Sequence, residues 1–155
     1  MAKIFKKPTS YNKGQTQTIG NRTITVWKER TFTSYGAKSS DSYRVAVTDR
    51  KTGNNIFRTD DASWKHISEQ AENQYKYGEK IQKTINEYKD SYRRTQEQIA
   101  EAFATNNKVM YESANSQANN IKAILNDYGV TDREINAITS TASSRGIGST
   151  TVSRT

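Results

Sequence analysis

The sequence contains no cysteine, one proline and very little leucine. Without cysteine the chain can form neither disulfides nor thiolate metal sites. Leucine, isoleucine, valine and phenylalanine together number 24 of the 155 residues, and one of these is leucine. This share lies below the ~20% under which charged chains bury too little apolar surface to fold alone. The composition therefore predicts a thin core and a protein that depends on partners.

Residues suited to catalysis are equally scarce. The single histidine, His66, lies in a stretch that reads as helix, beside Ser63 and Ser68, and nothing else marks a pocket there. The neighbouring carboxylates Asp60 and Asp61 are explained by capping of that helix. We therefore expect a non-enzymatic protein with no catalytic residues, no metal site and no cofactor.

The sequence also lacks a long apolar run. Met1 to Lys7 is basic, but no apolar stretch follows it, which argues against a signal peptide. A membrane-spanning helix needs about 20 predominantly apolar residues. We expect no membrane association and no secretion through a signal peptide, and a location in a virus particle or otherwise in the cytoplasm.

The stretch 61–128 has no proline and one glycine, Gly78. Its apolar and small residues recur at spacings of three and four, which is the helical period. From Ile81 to Ile99 the steps alternate between four and three, as in the seam of a coiled coil. The predicted oligomer or partner seam consists of Ile81, Ile85, Tyr88, Tyr92, Ile99 and Phe103.

Two arrangements of this helical stretch are compatible with the sequence. One is an unbroken helix, which would be roughly 100 Å long and would oligomerise through its seam. The other is a hairpin of two helices, at about 62–104 and 108–128, with a break at the poor helix formers Thr105-Asn106-Asn107. The absence of glycine or proline at this break favours the unbroken helix.

Residues 22–60 are rich in β-branched and aromatic side chains and predict a small antiparallel meander of three strands. The strands are expected at Arg22–Tyr35, Tyr43–Thr48 and Asn55–Thr59. Gly53 supplies the positive φ that the last turn requires. Because so small a sheet must be covered on its apolar face, we expect Trp64 and Ile67 at the start of the helical stretch to pack on it.

The excess positive charge lies near the N-terminus. Residues 1–61 hold twelve Lys and Arg against five Asp and Glu, whereas residues 62–128 hold nine of each. Residues 1–21 carry too few apolar side chains to fold alone, and they predict a basic flexible arm. Its candidate contacts with nucleic acid or an acidic surface are Lys3, Lys6, Lys7, Lys13 and Arg22.

Two segments follow the helical stretch. Gly129 can end it in the left-handed conformation, and the sequence from Thr131 to Glu134 is a capping box. Residues 129–139 therefore predict a short further helix. Residues 140–155 are mainly Ser, Thr and Gly with two arginines, and predict a flexible tail.

The predicted fold is α+β and mainly α: a short β-meander, then a long helix or helical hairpin of coiled-coil character, with extended termini. Low leucine, no cysteine and abundant Thr, Asn, Gln, Ser and Tyr resemble the composition of minor structural proteins of virus particles, especially tailed phages. We therefore expect an assembly protein that binds itself and other structural proteins, with a basic arm on nucleic acid or an acidic partner.

Two further classes stay open. Aromatic residues such as Tyr11 and Tyr43 alternate with basic residues near the N-terminus, a pattern typical of nonspecific nucleic-acid binding. A regulatory adaptor that docks one helix face on a partner is the other class. An adaptor would be a stable monomer, whereas an obligate oligomer would show concentration-dependent stability.

Overall fold

The computed structural model describes residues 4–11, 13–32 and 39–138. It confirms the α+β class, with an antiparallel sheet followed by one long helix and two shorter ones. The strands are β1 (Gln15–Ile19), β2 (Arg22–Phe32), β3 (Ser39–Asp49) and β4 (Asn55–Asp61). The helices are α1 (Trp64–Ala104), α2 (Lys108–Asp127) and α3 (132–138). The chain divides into a sheet unit, Met1–Gln82, and a helical unit, Lys83–Thr155, so α1 contributes to both.

The four strands pair in chain order as an antiparallel meander. Alternation of side chains places Ile24 and Val26 of β2 on the buried face, together with Val45 and Val47 of β3. The turn between β3 and β4 closes at Gly53, which has a φ of 77° as the sequence predicted. The core of the sheet unit therefore lies on one face of the sheet.

The sheet has four strands where three were predicted. The additional strand, β1, lies inside the segment 1–21 that was predicted to be a flexible arm. Its sequence has no apolar alternation, but it pairs with β2 along its whole length and its threonine hydroxyls meet those of β2, with Thr16 and Thr25 Oγ1 3.2 Å apart. Cross-strand pairing of this kind stabilises a strand that composition alone does not mark.

The residues before β1 are also packed on the sheet unit. Phe5 is 1% exposed and belongs to the core, where it meets Ile67 and Ala71 of α1 in one cluster. The backbone N–H groups of Ile4 and Phe5 donate to Glu72 Oε2 at 2.9 and 3.3 Å. The predicted arm is corrected on this point, because one aromatic side chain and two backbone hydrogen bonds fix its start to α1.

The predicted cap of α1 also needs correction. Asp60 and Asp61 are the last residues of β4, and the helix begins only at Trp64. Ser63 stands at the capping position instead, with its Oγ 3.5 Å from the N–H of His66. Asp61 stabilises the turn before the helix, since its Oδ1 accepts the N–H of Ser63 at 2.7 Å.

The prediction of one continuous helix is wrong, and the stretch forms two helices instead. Helix α1 ends at Ala104 and α2 begins at Lys108. Asn106 takes a left-handed conformation, with a φ of 53°. Asn107 caps α2, because its side-chain oxygen accepts the N–H of Met110 at 3.0 Å. The turn needs no glycine, because asparagine tolerates the left-handed region better than most residues.

Within the helical unit, α1 and α2 pack as an antiparallel hairpin. Near the turn the rings of Phe103 and Tyr111 lie 5.0 Å apart, and at the other end the rings of Tyr88 and Tyr128 lie 6.4 Å apart. The small residues buried in this hairpin are Ala102, Ala114 and Ala118.

The conformation of Asn106 leads to a matched pair of predictions. Asn106→Ala should lower the free energy of unfolding by about 1–2 kcal/mol, since a Cβ without a polar side chain is disfavoured at positive φ. Asn106→Gly should leave stability unchanged or raise it by a few tenths of a kcal/mol, because glycine has no such penalty. Urea unfolding of both variants checks this, and equal effects would contradict the assigned turn.

The end of α2 and the start of α3 form as the sequence predicted. Gly129 has a φ of 93°, as expected at the end of a helix. The capping box is confirmed, since the N–H of Glu134 donates to Thr131 Oγ1 at 3.2 Å and the N–H of Thr131 donates to Glu134 Oε1 at 3.3 Å. Ile135 of α3 is fully buried, as is Leu125 of α2. Thr139 and the predicted tail at 140–155 lie outside the described residues.

Candidate partner-binding surfaces

A basic and aromatic surface lies on the exposed side of α1 in the sheet unit. We call it the Tyr77 surface, and it consists of Arg22, Asn73, Lys76, Tyr77 and Lys80. The four helical members stand at positions three and four apart, so they share one face of the helix. They line a shallow groove of about 350 Å³, and none of them is a carboxylate.

Two cations flank the aromatic ring at the centre of this surface. The guanidinium carbon of Arg22 and the Nζ of Lys80 each lie 6.0 Å from the centre of the Tyr77 ring. Arg22 is held in place by Gln74, whose Oε1 accepts from the guanidinium at 2.6 Å. At 6.0 Å both cations are at the outer limit of a cation–π contact, and Tyr77 remains 58% exposed.

Two glycines bring the strand residue Arg22 to the helix. Gly20, in the turn between β1 and β2, packs so closely on Gly78 that a Cβ on Gly20 would lie 2.5 Å from the carbonyl oxygen of Gly78. The N–H of Gly20 also donates to Gln82 Oε1 at 3.0 Å. Because Arg22 follows this turn by two residues, the glycine contact sets its distance to the Tyr77 ring.

Two carboxylates of the sheet unit, Asp49 and Glu72, have local partners. Asp49 is the strand partner of Arg22, but its carboxylate accepts from Thr52 Oγ1 at 2.9 Å in the turn after β3. Glu72 accepts the backbone N–H groups at the start of the chain. Both acids are thus engaged in fixing local structure.

A second group of cations surrounds two tyrosines on the sheet. This Tyr11 cluster consists of Lys7, Tyr11, Lys28, Arg30, Asp41 and Tyr43. The Nζ of Lys28 lies 5.0 Å from the centre of the Tyr11 ring, and the guanidinium carbon of Arg30 lies 4.6 Å from it. Lys28 also forms an ion pair with Asp41 at 3.3 Å.

The Tyr11 cluster contains its own counter-charge. The hydroxyl of Tyr11 donates a short hydrogen bond to Asp41, and this bond, with the nearby Lys28 and Arg30, lowers the pKa of the Asp41 carboxyl. The hydrogen bond to Tyr11 raises the pKa of Arg30. The side chain of Lys28 is only 15% exposed. The cluster therefore joins the N-terminal segment to the sheet more than it offers free cations to a partner.

Four of the five cations predicted to contact nucleic acid or an acidic surface lie among the described residues. Lys6, Lys7 and Lys13 are exposed, and Lys7 lies 5.8 Å from the ring of Tyr43. Arg22 is half-buried on the Tyr77 surface. Lys3 lies outside the described residues.

The six residues of the predicted seam separate into three groups. Ile85 and Tyr92 are buried, so a second copy cannot reach them in this structure. The half-buried members are Ile81, Tyr88 and Ile99. Phe103 is the exposed member, at 70%. The pattern that suggested an intermolecular seam thus includes residues that the fold itself covers.

The two residues predicted to pack on the sheet lie at the start of α1. Ile67 is fully buried in the core cluster of the sheet unit. Trp64 packs against that cluster, with its ring 5.6 Å from the ring of Tyr43. The apolar face of the sheet is therefore covered by the first turns of the helix.

The turn of the helical hairpin carries exposed apolar side chains. We define the hairpin tip as Phe103, Val109 and Tyr111. Val109 is 79% exposed, and Phe103 contacts Tyr111 through their rings. Lys108 and Glu112 beside it form an exposed i,i+4 pair with 4.0 Å between Nζ and Oε1. The tip thus combines an apolar patch with one charge of each sign.

A polar groove of about 410 Å³ lies between α1 and α2 in the helical unit. Its walls are mainly Ser, Thr, Gln and Asn side chains, from Ser91 to Gln98 on α1 and from Gln117 to Ile121 on α2. Arg94, the cation in its lining, is paired with Asp90 at 3.6 Å. The pKa of Asp90 is lowered mainly by its hydrogen bond with Arg93.

Sequence reasoning missed most of the Tyr77 surface. The charges of the stretch 62–128 cancel, and the stretch was therefore treated as neutral. Lys76, Tyr77 and Lys80 nevertheless share one helix face, while Glu79 lies about 200° around the helix from Tyr77. Glu69 lies on the same face about one turn before Asn73, so a count of charge by helix face would have shown a mixed surface, and the contribution of Arg22 from the sheet could come only from the structure.

The part of the chain that the structure describes contains no group of three or more His, Cys, Asp or Glu side chains placed to hold a metal ion. His66 is exposed near the start of α1. Within the same residues, no helix is both long enough and apolar enough to cross a membrane.

Comparison of the chain with protein-family models, with curated proteins and with solved structures found no match.

Proposed function

We propose that this protein is a non-enzymatic assembly protein that associates with further copies of itself through the hairpin tip. The observation that supports this most is the exposure of Phe103 and Val109 at the same turn. Adjacent exposed apolar side chains at the end of a rigid element are typical of contact sites, because burying each one contributes ~1.5–3 kcal/mol.

The charges beside the tip favour a second copy as the partner. In a two-fold contact the same patch faces itself, so two neighbouring groups of opposite charge can each meet the opposite charge of the other copy. Lys108 and Glu112 lie side by side at the rim of the patch. Such an arrangement lets Lys108 of one copy approach Glu112 of another while the apolar side chains meet at the centre.

We propose that the protein functions as one component of a particle built from many proteins. The composition resembles that of minor structural proteins of virus particles, and other structural proteins of such a particle are the further partners we propose. Coiled-coil pairing through Ile81, Tyr88 and Ile99 stays a prediction, as do contacts of Lys6, Lys7 and Lys13 with nucleic acid or an acidic partner. A monomeric adaptor is the competing class.

Light scattering over a range of protein concentrations tests the self-association. We expect the mean mass to rise with concentration, and Phe103→Asp to raise the Kd for association by at least about 30-fold, since ~2 kcal/mol of apolar burial is lost and a charge is buried. Asn119→Asp is the matched control, because it adds the same charge at an exposed position of α2.

The outcomes separate the two classes. A wild-type protein that stays monomeric at every concentration would contradict self-association and favour the adaptor. Equal weakening by Phe103→Asp and Asn119→Asp would show that added charge, and not the hairpin tip, is responsible.

A further inference from the structure

We propose that the Tyr77 surface binds single-stranded nucleic acid, with a base stacked on the Tyr77 ring and the backbone phosphates held by Arg22, Lys76 and Lys80. This site is distinct from the hairpin tip and lies in the sheet unit. Its ligand class follows from the combination of an exposed aromatic ring with surrounding cations.

The phosphates would contact the cations of the Tyr77 surface. The residues that line the groove include two lysines and no carboxylate. Arg22 adds a guanidinium that Gln74 holds in one position. Arg50 fixes the turn before Arg22, because its backbone N–H donates to the carbonyl of Asn21 at 2.8 Å and its guanidinium donates to the carbonyl of Gly20 at 3.4 Å. Several cations in a row fit a chain of phosphates better than a single anion.

The bases would stack on the ring of Tyr77. Tyr77 is among the large side chains that remain mostly exposed, at 58%, and it lines the groove. A base of a duplex is stacked on its neighbours and cannot reach such a ring, whereas an unpaired base can. Exposed aromatic rings between cations are therefore typical of single-strand binding.

The site is built without base-specific features. Asn73 supplies the uncharged polar side chain in the groove, and stacking on tyrosine tolerates every base because each one has a π-face. We therefore expect weak dependence on sequence and strong dependence on salt. An acidic peptide could satisfy the cations but has no planar group to stack on Tyr77.

Fluorescence anisotropy with a labelled oligothymidylate at several salt concentrations tests this proposal. Tyr77→Ala should weaken binding by about 5- to 100-fold, the range for loss of one stacked base, and Tyr77→Phe should bind like the wild type. Lys76→Ala with Lys80→Ala should reduce the slope of log K against log salt by about 1.4, for two phosphate contacts on a single strand.

The matched control is Lys6→Ala with Lys13→Ala, which removes the same charge from the predicted arm and should change binding much less. Circular dichroism of each variant verifies that it is folded. Absence of binding by the wild type, or equal losses in the two lysine pairs, would overturn the proposal. It would also be overturned by tighter binding to the matching duplex, or by polyglutamate binding that equals oligonucleotide binding and depends on Tyr77 in the same way.

Discussion

Replacing Phe5 with alanine is expected to lower the free energy of unfolding by about 3–5 kcal/mol, the usual cost of removing a buried phenylalanine ring. The side chain is 1% exposed and lies in the same core cluster as Ile24 and Ile67. Its ring also meets Tyr75 of α1 edge to face, with 6.5 Å between the ring centres. Truncation would leave a cavity bordered by both the sheet and the helix.

The neighbouring residue provides the control for this experiment. Ile4 is exposed, so Ile4→Ala should cost less than about 1 kcal/mol. Urea unfolding followed by circular dichroism measures both variants. If Phe5→Ala unfolded at the same urea concentration as the wild type, the start of the chain would be an arm that contributes nothing to the core.

Replacing Gly78 with alanine should destabilise the protein by about 1–3 kcal/mol, although alanine is the better helix former by ~1 kcal/mol. A Cβ at this position would lie 2.4 Å from Ile19 Cγ2 and 2.9 Å from the carbonyl oxygen of Ile19. The second contact is with backbone, which cannot rotate away. The turn between β1 and β2 would have to move off the helix.

This substitution should also weaken the Tyr77 surface, because Arg22 follows the displaced turn. Asn119→Ala is the control for helix propensity, since Asn119 is exposed on α2 and its replacement should raise stability by a few tenths of a kcal/mol. Stabilisation by both substitutions, measured by urea unfolding, would mean that Gly78 does not touch the turn.

The sequence predicted those parts of the fold that depend on local patterns. Gly53 marked the turn between β3 and β4, and the capping box at Thr131 placed the start of α3. The break near Asn106 was recognised as a candidate, but the choice between a continuous helix and a hairpin was not decided correctly. That choice depends on the left-handed conformation of Asn106 and the cap formed by Asn107, and no glycine or proline marks this turn in the sequence.

The missed parts depend on contacts between distant residues. Phe5 and Ile4 form only a short apolar pair between lysines, so the burial of Phe5 follows from its place in one cluster with Ile67 and Ala71 and not from a sequence pattern. Strand β1 is nearly all Gln and Thr and forms because β2 offers it a partner. In the same way, the Tyr77 surface needs a strand residue and a helix residue that lie far apart in the sequence.

The seam illustrates how one pattern can have two explanations. Steps of three and four describe the face that a helix presents to any partner, whether another copy or the next helix of the same chain. Burial of Ile85 and Tyr92 shows that the chain covers part of this face itself. Substituting aspartate at these two positions should therefore unfold the helical unit, whereas Phe103 is the member at which association can be tested separately.

The two units are proposed to serve different partners, with nucleic acid at the sheet unit and further copies of the chain at the helical unit. The most direct test is two-dimensional NMR of the ¹⁵N-labelled protein. Adding an oligothymidylate should shift the amide signals of Arg22, Lys76, Tyr77 and Lys80, and raising the protein concentration should shift those of residues 103–111. Oligonucleotide-induced shifts confined to residues 4–13, or signals of residues 103–111 that do not respond to concentration, would contradict this division.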